Sequence, residues 1–243
     1  MSLFEAHGLS KRFGGLQAVK EVSFSLAEGE LLGLIGPNGA GKTTVFHLLS
    51  GFLRPDSGNI RFRGRSIVGL KPHAICRLGL ARTFQIVRPF PHLSVLDNVK
   101  VGALARHRHV RDALAVAHAV LDQVGLAGRA HTPAGDLTLP DRKRLEVARA
   151  LATDPALLLL DEVMAGLNAT ETGRFIELVC RVNAGGVTVL LIEHVMKAVM
   201  ALSGRVIVLN YGEKIAEGPP EAVVRDPRVI EAYLGEEYLR AQA

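Results

Sequence analysis

Residues 36–43 read Gly-Pro-Asn-Gly-Ala-Gly-Lys-Thr and follow directly on the apolar run Leu31–Ile35. The pattern G-x-x-x-x-G-K-[ST] behind a buried strand leaves few folds open. The strand must deliver the chain into a tight loop whose backbone N–H groups converge on an anion. Glycines let that backbone approach a phosphate closely. Lys42 supplies a cation able to reach terminal phosphates, and Thr43 supplies a hydroxyl suited to Mg²⁺. A helix starting near Gly41 turns the positive end of its dipole toward the same anion. Val45, Leu48 and Leu49 carry the helical spacing that such a helix needs to pack. A glycine loop arising by chance would lack both this strand and this helix.

The remaining composition narrows the setting. The chain has 243 residues, 48% of them hydrophobic, enough for a substantial core. Its 2 cysteines, Cys76 and Cys180, belong to no Cys/His group at metal-ligand spacing, which fits a reducing compartment. The N-terminus carries no basic-then-apolar signal pattern, and no apolar run approaches the ~20 residues of a membrane span. The expectation is a soluble protein that meets a membrane only through a partner. The net charge of +5 is concentrated locally. Arg54, Arg61, Arg63, Arg65, Lys71, Arg77, Arg82 and Arg88 face only Asp56 over that stretch. This reads as a solvated basic face, or one lying near anionic headgroups or a partner. With 5% aromatics, no tryptophan and no nucleic-acid module, no nucleic-acid partner is expected.

Two segments, Val22-Ser23-Phe24-Ser25-Leu26 and Ile60-Arg61-Phe62-Arg63, alternate apolar and polar residues and predict a small antiparallel sheet near the N-terminus. Residues 31–35, 157–160 and 187–192 are continuously apolar, as central parallel strands covered on both faces are. Residues 95–125 predict a helix with Leu114, Ala117, Leu121 and Val124 on one face and Gly125 as its C-cap. The basic knot Arg106, His107, Arg108, His109 and Arg111 reads as a solvated face or loop. Pro219, Pro220 and Pro227 punctuate a short helical tail that ends at Tyr233-Leu234-Gly235.

The apolar run 157–160 ends in Asp161 and Glu162. Acids at the carboxyl end of a central strand lie where open α/β sheets place ligands. Beside a phosphate loop, the first acid suits Mg²⁺ and the second suits a general base for water. A second strand end carries Glu193-His194, whose imidazole could hold a terminal phosphate oxygen.

Together these pieces resemble the ATP-binding subunits of ABC transporters over essentially the whole chain. The order is Phe13 in Lys11-Arg12-Phe13-Gly14-Gly15, residues 36–43, Gln85, the segment 137–141, Asp161-Glu162 and His194. The resemblance implies an α/β fold: a P-loop NTPase (ABC ATPase) core, an N-terminal antiparallel β subdomain and an inserted α-helical subdomain roughly over 89–135. One ATP-binding domain would then span 1–243, with a C-terminal helical tail over 219–243. The resemblance implies ATP and Mg²⁺ as ligands. Phe13 would stack on adenine, and Gly36, Pro37, Asn38, Gly39, Ala40, Gly41, Lys42, Thr43 and Thr44 would hold the phosphates. Thr43, Gln85 and Asp161 would serve the metal. Glu162 would activate water, with His194, Lys42 and Gln85 completing the catalytic set. The loop Ala165-Gly166-Leu167-Asn168 looks like the one that crosses a dimer interface, with Asn168 where many members carry Asp.

Within the family, the chain looks most like the branched-chain amino-acid transporter group. The likeness lies in Ala81-Arg82-Thr83-Phe84-Gln85, in residues 93–99 and 144–151, and in Tyr211-Gly212 followed by Ile215-Ala216-Glu217-Gly218. Urea or amide importers and lipopolysaccharide-export ATPases share this vocabulary. The implied partners are permease subunits received near Gln85, Arg88, Pro89 and Phe90, a second ATPase subunit, and indirectly a solute-binding protein. The implied place is the cytoplasmic side of the inner membrane. A soluble kinase or GTPase is the contrasting reading, against which stand the Gln85 and His194 elements and the lack of an N-K-x-D stretch. An ATP-binding regulatory subunit with weak hydrolysis is another.

The chain departs from the family at one place. The signature L-S-G-G-Q is here Leu137-Thr138-Leu139-Pro140-Asp141. Leu139 and Pro140 replace both glycines, Pro140 has no N–H to give, and Asp141 puts a negative charge beside an anionic ligand. Thr138-x-x-Asp141 still reads as a helix start. The expectation is a segment that keeps its structural task, grips a partner's phosphate poorly, and so pairs with a non-identical ATPase.

Overall fold

The computed structural model describes residues 2–85 and 88–241. In chain order the first elements are β1 (Ser2–Phe13), β2 (Leu16–Ala27), β3 (Leu31–Ile35), α1 (Lys42–Leu49), β4 (Ser57–Phe62) and β5 (Arg65–Ser66). The middle comprises α2 (Pro72–Leu78), β6 (Leu80–Arg82), α3 (Val95–Ala103), α4 (Val110–Val124), α5 (Leu139–Leu151), β7 (Leu157–Asp161) and α6 (Ala169–Ala184). The chain continues through β8 (Thr188–Ile192), α7 (Met196–Leu202), β9 (Arg205–Asn210), β10 (Glu213–Gly218), α8 (Pro220–Val223) and α9 (Pro227–Ala241). These elements gather into two units, one built from residues up to 72 together with 188 onward, the other from residues 73–187.

In the first unit the alternating segments pair as expected. The antiparallel order is β2-β1-β4-β5. The register sets Ala6 opposite both Phe24 and Ile60, and Phe4 opposite Phe62, so that one face of the sheet is apolar and buried. The Phe4 and Phe24 rings lie 6.2 Å apart. The second layer centres on β3, buried at all five positions and flanked by parallel β8 and β9. A strand covered on both faces has no polar side to show, which is why its sequence does not alternate. Ile35, Val199, Val206, Val208, Val223 and Val229 close the core beneath α7, α8 and α9. The tail helix α9 runs to Ala241, past the Tyr233-Leu234-Gly235 end that the sequence suggested. Residues 242–243 of that tail lie outside the described residues.

In the second unit β6 and β7 run parallel, with Leu80 opposite Leu157 and Arg82 opposite Leu159. The helix expected over 95–125 is two helices, α3 and α4, broken at 104–109. Residues 106–109 of the basic knot lie in that break, most of them exposed, as a loop reading expects. Arg106, exposed within that loop, donates to the carbonyl oxygens of Thr153 (3.1 Å), Arg77 (2.8 Å) and Asp154 (3.0 Å), which pins the loop to the neighbouring chain. The buried face of α4 is Ala113, Ala117, Val120, Leu121 and Val124, with Leu114 at its exposed margin. Gly125 ends α4 in the left-handed conformation expected of a C-cap (φ 74°). Buried Asn98 fixes the approach to α3: its Oδ1 accepts from the Phe90 N–H at 2.9 Å, and its Nδ2 donates to the Ser94 carbonyl at 2.9 Å.

Candidate functional site

The loop after β3 is shaped by what surrounds it. A Cβ at Gly36 would stand 2.1 Å from the Leu209 carbonyl oxygen, and one at Gly41 would stand 2.4 Å from that of Ala18. Both residues hold positive φ, 152° and 100°. Only glycine fits both demands, because either neighbour is rigid backbone. The turn between β9 and β10 locks the loop from the side. The Gly212 N–H donates to Ala40 O (3.0 Å), and the Lys20 N–H donates to Gly212 O (2.8 Å). Gly41 is the N-cap of α1 and supplies no side-chain cap. The first-turn N–H groups of an α-helix have no acceptor within the helix, so the start of α1 is an open donor surface. Lys42, buried, folds back over the loop and donates from Nζ to Gly36 O (2.7 Å) and Pro37 O (2.9 Å). Thr43 is exposed and Thr44 half-buried beside it.

His194 shares this unit. β8 and β3 are parallel, with Leu34 opposite Ile192, so Gly36 and His194 each lie two residues beyond that pair, past the same end of the two strands. Glu193 is buried and His194 exposed. Phe13 closes β1 at 45% exposure, with Lys11 Nζ 5.7 Å from its ring centroid. Its ring is available for stacking, which a core phenylalanine would not be. A cavity of about 470 Å³ borders the outer side of the loop, between Pro37, Asn38 and Tyr211 and the α9 residues Arg228 and Glu231.

The second unit gathers the acids. Asp161 ends β7 and is buried; Glu162 follows, half-buried, at φ 48°. A left-handed glutamate is uncommon, and such backbone persists where surrounding contacts over-determine it. Those contacts are present: Lys143 Nζ donates to Glu162 O (3.1 Å), and the Ala165 N–H donates to the same oxygen (3.2 Å). Gln85 Nε2 donates to Glu162 Oε2 at 2.6 Å. Arg82 Nη2 donates to Asp161 Oδ2 at 2.7 Å, and the Asp161 N–H donates to Thr83 Oγ1 at 3.1 Å. The sequence names Asp161, Glu162 and Gln85, which the structure brings together; Arg82, Thr83 and Lys143, which hold them, are not singled out by it. The signal available was the run Arg82-Thr83-Phe84-Gln85, in which a strand residue and a loop residue could both reach a neighbouring strand end.

The helix start at 138–141 forms as expected. Thr138 is the N-cap of α5, its Oγ1 accepts from the Asp141 N–H (3.4 Å), and Pro140 lies in the first turn. Asp141 pairs with Arg144 at 3.4 Å. Leu139 is exposed, and its side chain lies close to Gly166. Asn168 caps α6 through a reciprocal capping box with Glu171. Nearby on α5, burial pushes the Glu146 carboxyl above its usual range, partly offset by Arg149 at 3.0 Å and by a backbone hydrogen bond from Phe84.

Comparison with known proteins agrees with this architecture. The ABC transporter family matches residues 19–165, and the branched-chain amino acid ATP-binding cassette transporter family matches residues 213–238. The high-affinity branched-chain amino acid transport ATP-binding protein LivG of Salmonella typhimurium is 44% identical over 253 residues, covering 96% of this chain and 98% of LivG. BraF of Pseudomonas aeruginosa, of the same description, is 43% identical over the same shares. A nucleotide-free ATP-binding cassette from an ABC transporter superposes with a TM-score of 0.88 at 29% identity, covering 96% of this chain and 99% of that one. The chain belongs to the ABC transporter family, as one of its ATP-binding subunits. It is a nucleotide-binding ATPase with the P-loop α/β fold of that family.

Proposed function

We propose that this chain hydrolyses MgATP on the cytoplasmic side of the inner membrane, docked on permease subunits, to power uptake of branched-chain or related amino acids. The solute class is supported by one observation, the likeness to LivG and BraF over 96% of the chain. Among the described residues no helix is long and apolar enough to cross a membrane, so the path for the solute belongs to other subunits.

In this reading Lys42 gives its ammonium to the β- and γ-phosphate oxygens, and the first-turn N–H groups of α1 take the remaining charge. Phe13 stacks on the base. Thr43 and Asp161 fit Mg²⁺, because a hydroxyl and a carboxylate are hard oxygen donors. Among the described residues no trio of His, Cys, Asp or Glu could cage a metal alone. That suits an ion bound through one carboxylate and the substrate's own phosphates. When bound, Mg²⁺ supplies positive charge that offsets the charge on the phosphate oxygens. Glu162 takes the proton of the attacking water on a carboxylate oxygen, and Gln85 holds that carboxylate in place. His194 donates to a γ-phosphate oxygen.

Substituting Glu162→Gln removes the base and leaves the phosphate grip. The expected result is a kcat lower by about 10²–10⁴ with ATP affinity almost unchanged, read by steady-state ATPase and equilibrium binding. Hydrolysis at the parental rate would remove Glu162 as base.

The start of α5 supports a non-identical partner. The Asp141 N–H is spent on the Thr138 hydroxyl oxygen, Pro140 has no N–H, and Asp141 is itself an anion. ATP held by the partner against this helix turns over slowly, whereas ATP on this chain's own loop depends on the partner's signature.

A further inference from the structure

Residues 82–85 reach both acids of the second unit from one short stretch. Gln85 takes Glu162, and Arg82 takes Asp161. The second pair is the more unusual. Arg82 and Asp161 side chains are 5% and 3% exposed, and their contact is 2.7 Å. The guanidinium carbon sits 5.3 Å from the Phe84 ring centroid. Thr83 completes the join: its N–H donates to Leu159 O at 2.9 Å while its Oγ1 accepts from the Asp161 N–H. An ion pair this deeply buried is costly to build and costlier to break on one side, because a lone buried carboxylate results. The hydrogen bond from Arg82 Nη2 goes to Oδ2 of that carboxylate.

We propose that Arg82 is a positioning residue for divalent-metal binding: anchored on β6, it fixes the Asp161 carboxylate by Oδ2 and so presents Oδ1 to the ion. The inference rests on the reading above that Asp161 serves the metal. Its consequence is that Gln85, which lies in the segment expected to meet permease subunits, stands three residues from the side chain that holds the metal-binding acid. The alternative arrangement, in which Arg82 merely competes with the cation for the carboxylate, predicts the opposite sign. Positioning is favoured because Arg82 Nη2 holds the Asp161 carboxylate while the Thr83 hydroxyl oxygen holds the Asp161 N–H, and a competitor has to leave.

The test measures Mn²⁺ binding to the purified full-length chain with ADP, by electron paramagnetic resonance, in the parent, Arg82→Gln, Arg82→Lys and Asp161→Asn. ADP binding in EDTA and the thermal midpoint are measured alongside. Second-sphere partners of metal ligands typically contribute tenfold or more to metal affinity, so Arg82→Gln is expected to weaken Mn²⁺ by about tenfold, with metal-free ADP affinity unchanged. Arg82→Lys, which keeps the charge and loses the fork, is expected to recover part of that loss. Should Arg82→Gln fail to fold, Arg82→Lys decides, since its weakened Mn²⁺ binding at a parental midpoint supports the proposal. Unchanged or tighter Mn²⁺ binding in the Arg82 variants that fold, with Asp161→Asn weakened, overturns the proposal alone. Unchanged binding in Asp161→Asn overturns the metal reading of Asp161 and this proposal with it.

Discussion

Two helix starts in this chain invite comparison. α1 begins at Gly41, a left-handed glycine with no side-chain cap for its first turn. α5 begins at Thr138, whose hydroxyl caps the Asp141 amide, and has a proline in its first turn. Each helix end carries the same partial positive charge. One keeps its donors for a ligand; the other satisfies or omits them internally. The difference teaches that stability and anion binding draw on the same small set of N–H groups, so a well-capped helix is a poor phosphate site. For a chain expected to use both ends on nucleotide, this is the physical argument behind the proposal of two unequal ATP sites.

The largest effect should follow from stripping the open end. Lys42→Ala removes the ammonium beside bare amides, and hydrogen bonds to charged groups are worth about 1.5–3 kcal/mol, so ATP affinity should fall by roughly 10–150-fold. Equilibrium binding of ATP measures it, and a loss below threefold would break the distinction drawn for α1. Next comes the attempt to turn α5 into an α1. Replacing Leu139 and Pro140 by glycine together restores an N–H and clears the exposed leucine. Turnover of the assembled heteromer should rise several-fold, while that of a complex lacking ATP at the partner's loop should not. Unaltered turnover would mean that this end never meets phosphate.

Smaller effects test the cap itself. Thr138→Ala should cost about 1 kcal/mol of stability in denaturant unfolding, the usual worth of an N-cap, with little effect on ATP binding to the loop at 36–43. The subtlest concerns pH. Glu146 on α5 has its carboxyl raised by burial. Its favourable share of stability is present below the ordinary glutamate range and is lost as pH rises through its higher folded value. Glu146→Gln should therefore flatten the fall in thermal midpoint between acid and neutral pH. An identical pH profile would show that Arg149 and the Phe84 amide fully offset the burial.

Much of the fold could be read in the residues. The alternation of 22–26 and 60–63, the unbroken apolar runs and the Gly125 cap each declared an element through local physics. The helix expected over 95–125 is two helices: residues 106–109 are Arg-His-Arg-His with no apolar side chain to pack, and Arg106 answers to carbonyls at 77, 153 and 154, far away in sequence. Period and propensity carry no information about such acceptors. At the site, the phosphate loop and the two acids were legible because their chemistry demands those residue types in that order. Arg82, Thr83 and Lys143 were not, because an arginine on a strand or a lysine on a helix looks like surface until a neighbouring strand end is brought against it.

The sequence by itself determined that this chain has a strand, a phosphate loop and a helix in succession, an acid pair behind another apolar strand, and a signature segment without its glycines. These are local facts, set by sterics and by which side chains carry charge. Only the tertiary structure decided that Leu209 and Ala18 carbonyls compel glycine at 36 and 41 and that Arg82 reaches Asp161. Those outcomes depend on groups distant in the chain coming within hydrogen-bonding or contact range, and on the cost of burying a charge without a partner.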